Sequence, residues 1–460
     1  MKSNFNIPTI IIVFGITGDL FKKKILKSLN ILYTKKMLPE KFEIYGFGRR
    51  DWNDINIQEY IKTVSKEQNI ICDKSFINKF HYAIGTFENI KSYIKLAAKI
   101  GYHDKMWSFC ANKLFYLAVP PNDYEIIVNN LHKSKLTKPC GEKEGWTRVI
   151  LEKPFGIGLR DAKKLDGLLK NLFKEEQIYR VDHYLAKETV RNILALRFSN
   201  SFLIPAWKSE YIESISVKIQ EKDTLEKRGN FYDGVGALRD VGQNHALQLL
   251  ALFTMTNPEN LDSVNIRKKR AEPIKYLIPD INSIKRGQYI GYKKELGVNK
   301  KSTTETYFKL KSKFIDGPFK NTNVVLEAGK GLKENITEII ISFKHPYMCL
   351  CPPEKEYTNV LRYIIKPKEQ IILEILVKKP GYKFEVQKQN FEFNYNDNIN
   401  KKELIGDYEQ LFMDIIKGDQ TLFVSTQEVV NQWVFVEKIL HAWTKKRIKL
   451  MKYKVGTNPY

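Results

Sequence analysis

Residues 10 to 24 read IIIVFGITGDLFKKK, an apolar run that breaks at Gly15-Ile16-Thr17-Gly18-Asp19-Leu20 and continues as a basic amphipathic stretch. That order predicts a strand, a tight glycine turn and a helix start, the arrangement in which a dinucleotide-binding fold holds a pyrophosphate. A Cβ at Gly15 or Gly18 would obstruct the turn or hold the backbone away from phosphate. The free N–H groups and positive dipole end of the following helix would then face the anion. The full G-x-G-x-x-G fingerprint is absent, so the position of the glycine turn directly after the first strand carries the reading.

The second strand of the same unit is expected in EIYGFGRR, residues 43 to 50. In an NAD-selective fold the tip of that strand carries an acidic residue that binds the ribose hydroxyl and repels a 2′-phosphate. Here the tip carries Arg49 and Arg50. A guanidinium offers phosphate oxygens a planar fork of donors, so the pair argues for NADP over NAD.

At 460 residues the chain exceeds the size of one core, and two domains are expected. With 43% hydrophobic and 12% aromatic residues it has the composition of a globular protein, and its apolar runs are too short to span a bilayer. The opening MKSNFNIPTIIIVFG lacks a cleavage-site pattern, so the chain is read as mature and cytoplasmic, with no membrane partner. Cys72, Cys110, Cys140, Cys349 and Cys351 are too scattered for a disulfide framework and are expected to be reduced structural thiols. The C-x-C spacing at Cys349 and Cys351 has no second pair at metal-ligand spacing, and no metal is expected. The formal charge of +24 would suit anionic partners, but the lysines are spread along the whole chain, which argues against a dedicated nucleic-acid surface.

Residues 8 to about 175 alternate apolar runs with helical periodicity, as a parallel α/β sheet requires. Candidate strands are Ile10 to Phe14, Glu43 to Gly46, Leu114 to Val119 and Arg148 to Glu152. Beyond residue 205 the strands lengthen and alternate with period two, as in YIESISVKIQE, TEIIISF, QIILEIL and KFEVQKQNFEFNY, which predicts a large, mainly antiparallel sheet with one face covered. Helices are expected near Ala237 to Phe253 and Thr426 to Trp443, the second opening with capping-box spacing at Ser425 and Glu428. The expected fold is thus a Rossmann-like domain over residues 1–180 followed by an α+β domain over 181–460.

Chemistry concentrates in two segments. RVDHYLAKE, residues 180 to 188, sets Asp182, His183, Tyr184 and Lys187 within six residues, and RDVGQNHALQ supplies Asp240, Asn244 and His245 on a segment that otherwise reads as a buried helix. A histidine there can serve as a base if a carboxylate orients it.

With GITGDLFKKK, GFGRR, LAVPPNDY and LEKPFG, these segments match the glucose-6-phosphate dehydrogenase family in order, and the chain closely resembles that family. The likeness continues through GKGLKE, VKKPG and LMKYKVGTNP and so covers essentially the entire chain. The resemblance implies NADP-linked oxidation of β-glucose 6-phosphate to the 6-phosphogluconolactone, the first step of the oxidative pentose phosphate pathway. His245 matches the family's catalytic base and Asp182 the carboxylate that pairs with it. His183, Tyr184 and Lys187 match the phosphate ligands, and Lys153, Glu221, Asp240 and Lys330 the sugar and further substrate contacts. On the cofactor side Gly15, Thr17, Gly18, Asp19, Leu20 and Lys22 match the phosphate-binding turn, and Arg49 the 2′-phosphate contact. Tyr124 is a further expected cofactor contact, and Lys153 is expected to touch both ligands. The family assembles homodimers or homotetramers through its large sheet.

Three positions depart from the family pattern. Ala186 replaces a glycine in the phosphate-binding run, Asn335 stands where a second basic residue is common, and Lys366 where a glutamine is common. None touches the acid-base residues. Two other readings fit part of the sequence: a different NADP-dependent sugar dehydrogenase, or a non-catalytic nucleic-acid-binding relative.

Overall fold

The computed structural model describes residues 7–140, 145–226, 228–346, 348–350, 357–395, 405–446 and 448–459. The chain forms two compact units. The first is drawn from Met1–Gly156, Arg160–Ala186 and Ile405–Val424; the second from Ile157–Leu159, Lys187–Leu404 and Ser425–Tyr460. Residues 405–424 therefore belong to the first unit, although they lie far beyond the boundary expected after residue 180. Among the described residues, no helix is long and apolar enough to cross a membrane.

The first unit is built on β1 (Thr9–Phe14), β2 (Phe42–Gly48), β3 (Phe80–Ile84), β4 (Asn112–Leu117), β5 (Thr147–Leu151), β6 (Ile178–Val181) and β16 (Phe423–Val424), in the spatial order β16-β6-β5-β4-β1-β2-β3. All neighbours are parallel except β16, which runs antiparallel to β6. Every residue of β1 is buried, as a strand covered on both faces must be. The four expected strands are present, each displaced by one or two residues at its ends. β3 and β6 were not expected, because FHYAI and IYRV are short and carry polar residues. The strand order reverses between β1 and β4, and at such a point the carboxyl ends of the strands open a crevice for ligands.

Helices of this unit that bear on the site are α1 (Leu26–Thr34), α2 (Asp54–Glu67), α3 (Lys74–Ile77) and α4 (Ile90–Trp107). α2 opens with a reciprocal cap in which Asn53 and Asn56 each accept from the other's backbone amide at 3.0 Å. Cys110 and Cys140, expected to be reduced, are joined by a disulfide with Cα atoms 6.3 Å apart. They precede the neighbouring strands β4 and β5, and strand pairing rather than sequence spacing brings them together. Cys72 is a free, half-buried thiol, and Cys351 lies outside the described residues.

The second unit contains β7 (Ile212–Gln220), β8 (Leu277–Pro279), β9 (Lys285–Tyr289), β10 (Tyr307–Phe314), β11 (Asn323–Gly329), β12 (Ile336–Phe343), β13 (Val360–Lys366), β14 (Gln370–Lys378), β15 (Val386–Asn394) and β17 (Leu450–Tyr453). They form one sheet in the order β15-β14-β13-β12-β7-β11-β10-β9-β17, with β8 on β10. It is mainly antiparallel; β7 with β11 and β9 with β17 are parallel. Ile215, Val217 and Ile219 of β7 are buried, as their alternation requires. The helix Thr426–Lys445 starts at the expected capping box, Ser425 with Glu428.

The helix expected near Ala237 to Phe253 is present, but its first nine residues, Leu238–Ala246, are wound as a π-helix before α-helical Leu247–Thr254. No periodicity argument foresees that change of winding. Gly242 accommodates it against the sheet, since a Cβ there would lie 2.7 Å from the Phe308 ring.

Candidate active site

In the first unit the glycine turn sits at the carboxyl end of β1. Gly15 has φ +85°, and a Cβ there would stand 2.3 Å from the Ala118 carbonyl just beyond β4. Only glycine satisfies both the left-handed backbone and the close approach. The turn closes through Gly18 N–H to Gly15 O at 2.9 Å, and Lys22 N–H continues the helix onto Gly18 O at 3.1 Å. Gly15, Thr17, Gly18 and Leu20 are half-buried, while Asp19 is exposed and forms a surface ion pair with Lys23 at 3.5 Å. Lys22 lies 5.9 Å above the Tyr60 ring.

Arg49 and Arg50 emerge exposed at the tip of β2. Arg49 lines a cavity of about 830 Å³ together with Trp52, Asp54, Tyr82, Thr86 and Lys99. Arg50 does not line it; its guanidinium stacks 4.6 Å from the Trp52 ring. Two arginines adjacent in sequence thus have different surroundings.

Lys153 lies two residues past the carboxyl end of β5 and is half-buried. Tyr124 is buried behind it, and its hydroxyl donates to the Glu152 carbonyl at 2.9 Å, which makes it a support for the strand end. The Glu152 carboxylate accepts from Tyr116 at 2.6 Å. Burial pushes the Glu152 carboxyl up to about 7, against the opposing hydrogen bond from Tyr116 and the charge of Lys153. Sequence reading passed over Glu152, although it stands beside Lys153 in LEKPFG.

Asp182 follows β6 directly and is buried. One of its oxygens accepts from Tyr184 N–H at 3.0 Å, and its carbonyl accepts from Leu185 N–H at 3.0 Å, so the DHYL turn is held by its own acid. The His183 and Tyr184 rings meet edge to face, 5.0 Å between centroids. Ala186 is buried.

In the second unit Lys187 is the residue before the helix Glu188–Phe198, at the end where backbone N–H groups lack intrahelical partners. Glu221 and Lys330 leave the paired carboxyl ends of parallel β7 and β11, where Gln220 is level with Gly329. The Lys330 ammonium donates to the Glu221 carboxylate, and both backbones are fixed, Glu221 N–H on Gly329 O and Lys330 N–H on Thr306 O, each at 2.9 Å. Their separation of 109 residues hides this partnership in the sequence. Asn335 and Lys333 are exposed, and Lys366 is half-buried at the end of β13.

Asp240, Asn244 and His245 all lie on the π-helical segment and are buried. In an α-helix, at 100° per residue, side chains five apart point about 140° from each other. The i→i+5 bonding of a π-helix brings residues five apart toward one side, and Asp240 and His245 are such a pair. The segment is anchored at its start by Glu305, whose carboxylate accepts from Leu238 N–H at 3.1 Å and whose carbonyl accepts from Ala237 N–H at 3.1 Å. Burial raises the Glu305 carboxyl to about 7, with the Leu238 amide opposing. At the other end Asn244 accepts from His245 N–H at 2.7 Å and donates to Arg239 O at 3.2 Å.

A parallel sheet whose strand order reverses between β1 and β4, a tight glycine turn at the end of β1 and a cavity lined by Arg49 at the tip of β2 are the features of a dinucleotide-binding domain. The family model described as the NAD binding domain of glucose-6-phosphate dehydrogenase matches residues 12–192, and the model of its C-terminal domain matches residues 194–459. The chain belongs to the glucose-6-phosphate dehydrogenase family. It is 36% identical to glucose-6-phosphate 1-dehydrogenase of Borreliella burgdorferi, over 99% of this chain and 95% of that one. The enzyme of the same name from Chlamydia muridarum is 34% identical, over 98% and 93% of the two chains. A solved glucose-6-phosphate dehydrogenase in complex with its substrate glucose 6-phosphate superposes with a TM-score of 0.91 at 30% identity, covering 100% of this chain and 97% of that one.

Proposed function

We propose that this chain oxidises β-D-glucose 6-phosphate to 6-phospho-D-glucono-1,5-lactone, with NADP as the hydride acceptor. The observation that carries the reading is a family likeness over nearly the whole chain, to a structure holding glucose 6-phosphate, in a sequence that retains both RVDHYLAKE and RDVGQNHALQ.

In this reading His183, Tyr184 and Lys187 hold the substrate phosphate, a dianion that calls for charge-assisted donors. Lys153, Glu221, Asp240 and Lys330 offer the mixed donors and acceptors that neutral hydroxyls need. The remote phosphate then supplies binding energy that orients C1. The His245 imidazole takes the proton of the C1 hydroxyl as the C1–O bond becomes a carbonyl, and Asp182 is the carboxylate that steadies the resulting imidazolium. NADP, when bound, supplies the acceptor for the hydride that leaves C1. The residues fit that cofactor: the Gly15 turn leaves the space that a Cβ would fill, and Arg49 lines the cavity at the tip of β2. Gly15, Thr17, Gly18, Asp19, Leu20 and Lys22 form its phosphate turn in this proposal, with Tyr124 bracing the strand end that carries Lys153.

The test is the rate of nicotinamide reduction by the purified protein with glucose 6-phosphate, using NADP and NAD in parallel and unphosphorylated glucose as control. Turnover that needs the phosphate and prefers NADP supports the proposal; no turnover with any combination overturns it. Arg49→Ala is expected to raise KM for NADP by about tenfold to a hundredfold, the worth of a charged hydrogen-bonding fork, with little change for NAD. Equal losses with both cofactors would show that Arg49 does not read the 2′-phosphate.

The second unit is also proposed to join copies of this chain through its sheet, as a homodimer or a homotetramer. Phe391 and Phe393, two apart on the edge strand β15, share one face and are 56% and 41% exposed. Phe391→Lys with Phe393→Lys is expected to lower the sedimentation coefficient toward that of a monomer. An unchanged oligomer would remove this face from consideration.

A further inference from the structure

Beneath the Arg49 cavity lies a chain of charged groups that the proposed reaction does not use. His81 of β3 is held between two carboxylates, Nδ1 at 2.7 Å from Asp54 Oδ2 and Nε2 at 3.1 Å from Glu43 Oε2. Lys79 completes the series at 3.2 Å from Glu43 Oε1. The remaining polar groups around the His81 ring are Tyr45 of β2, stacked at 5.0 Å, and His103 of α4 at 5.6 Å, these two sharing a hydrogen bond of 2.8 Å. Lys99 of α4 donates to the Tyr82 carbonyl at 2.8 Å.

Asp54 ties this network to the cavity. It is the first residue of α2, it lines the cavity wall with Arg49, and its second oxygen accepts from Tyr82 N–H at 2.9 Å. Tyr82 in turn supports the tip of β2. Its ring lies 5.4 Å from Trp52, its hydroxyl meets the Arg50 backbone amide, and a Cβ on Gly48 would touch that hydroxyl at 2.7 Å. A bare carboxylate on this wall would oppose a 2′-phosphate, as the acidic residue of an NAD-selective fold does.

We propose that His81 is a positioning residue for cofactor choice: as a cation clamped between Asp54 and Glu43, it fixes the first turn of α2 against β3 and cancels the Asp54 charge that would otherwise repel the 2′-phosphate. This inference rests on the reading that Arg49 receives that phosphate. The protonation it requires is available. Burial alone would lower the His81 pKa, but the hydrogen bonds and charges of Asp54 and Glu43 outweigh it and raise the group to about 9. The same partnership, with the Tyr82 amide and Lys99, holds Asp54 below its ordinary range despite its burial. His81 is therefore charged below about pH 9, and its effect should fade as pH rises through that value.

The test is direct calorimetric titration of the purified protein with NADP and with NAD, alongside kinetics. His81→Gln is expected to weaken NADP binding about tenfold and NAD binding less than about twofold, with KM for glucose 6-phosphate unchanged. Asp54→Asn in the His81→Gln background should restore NADP affinity, because the carboxylate on the cavity wall is then gone and Glu43 keeps its ion pair with Lys79, while the side-chain amide oxygen introduced there can still accept from Tyr82 N–H. The wild type should lose NADP affinity between about pH 8 and about pH 10, and the double variant should not. Equal weakening toward both nucleotides, or a double variant no better than His81→Gln, would overturn the inference. Wild-type protein that binds NADP no more tightly than NAD would instead overturn the reading of Arg49 on which it rests.

Discussion

Replacing His245 by asparagine is expected to lower kcat by about 10²- to 10⁴-fold while KM for glucose 6-phosphate changes little, because the substitution removes a base and leaves the phosphate donors in place. Asparagine keeps a polar group of moderate size in a buried site and cannot accept and hold a proton near neutral pH. The fold around it should persist, since the π-helical segment is anchored through Glu305 to the Leu238 and Ala237 amides and through Asn244 to the His245 amide, contacts that involve the imidazole nowhere. The loss should therefore appear in kcat and kcat/KM together, and the acidic limb of the pH–rate profile that reports the base should vanish. Turnover within a few-fold of wild type would remove His245 from the role of base. A large rise in KM with kcat preserved would make it a binding residue instead.

The largest expected effect on stability lies away from the chemistry. Arg270, on the helix Ser263–Ala271, is 1% exposed and meets Glu428, 2% exposed, with Nε 2.5 Å from Oε1 and Nη2 3.3 Å from Oε2. Glu428 is also the third residue of the helix Thr426–Lys445, and its Oε2 accepts from the Ser425 amide and hydroxyl, each at 2.7 Å. Beside it Asn431 donates to the Ala271 carbonyl at 2.7 Å. Arg270→Met would strand the carboxylate in a buried site with only its cap contacts, and the expected cost is about 3–5 kcal/mol of the stability of the second unit, read from urea unfolding. Glu428→Gln in the same protein should recover part of it, because the stranded charge is gone and the amide oxygen still caps the helix. A loss under about 1 kcal/mol for Arg270→Met would mean that solvent reaches the pair.

The Arg270–Glu428 contact also illustrates how far the sequence could be read. The capping box Ser425–Glu428 is local, three residues of chain, and its spacing announced the helix that the structure contains. The partner on Arg270 is 158 residues away, and no spacing rule reaches it. The same division separates Arg49 from Arg50. The residue types beside the β2 glycines pointed to an anion site and the family resemblance to Arg49, whereas the cavity that Arg49 lines and the stacking of Arg50 on Trp52 belong to the folded tip.

What the sequence determined by itself are the features whose physics is local. Gly15 had to be glycine because its turn needs φ +85° and a backbone approach that no Cβ survives. The alternating strands had to bury one face, as Ile215, Val217 and Ile219 do, and the continuous apolar run of β1 had to be covered on both faces. The tertiary structure decided what depends on distant groups meeting. It set β16 antiparallel beside β6, with the Gln420 amide donating to the Glu175 and Ile178 carbonyls at 2.9 and 3.0 Å. It paired Glu221 with Lys330 through parallel β7 and β11, and clamped His81 between Asp54 and Glu43. It also wound Leu238–Ala246 as a π-helix, which turns Asp240 and His245 toward one side. Backbone conformation and burial pattern are set by neighbours along the chain, but the partner of a buried charge and the winding of a helix packed against a sheet are set by whatever the rest of the fold brings within a few ångströms.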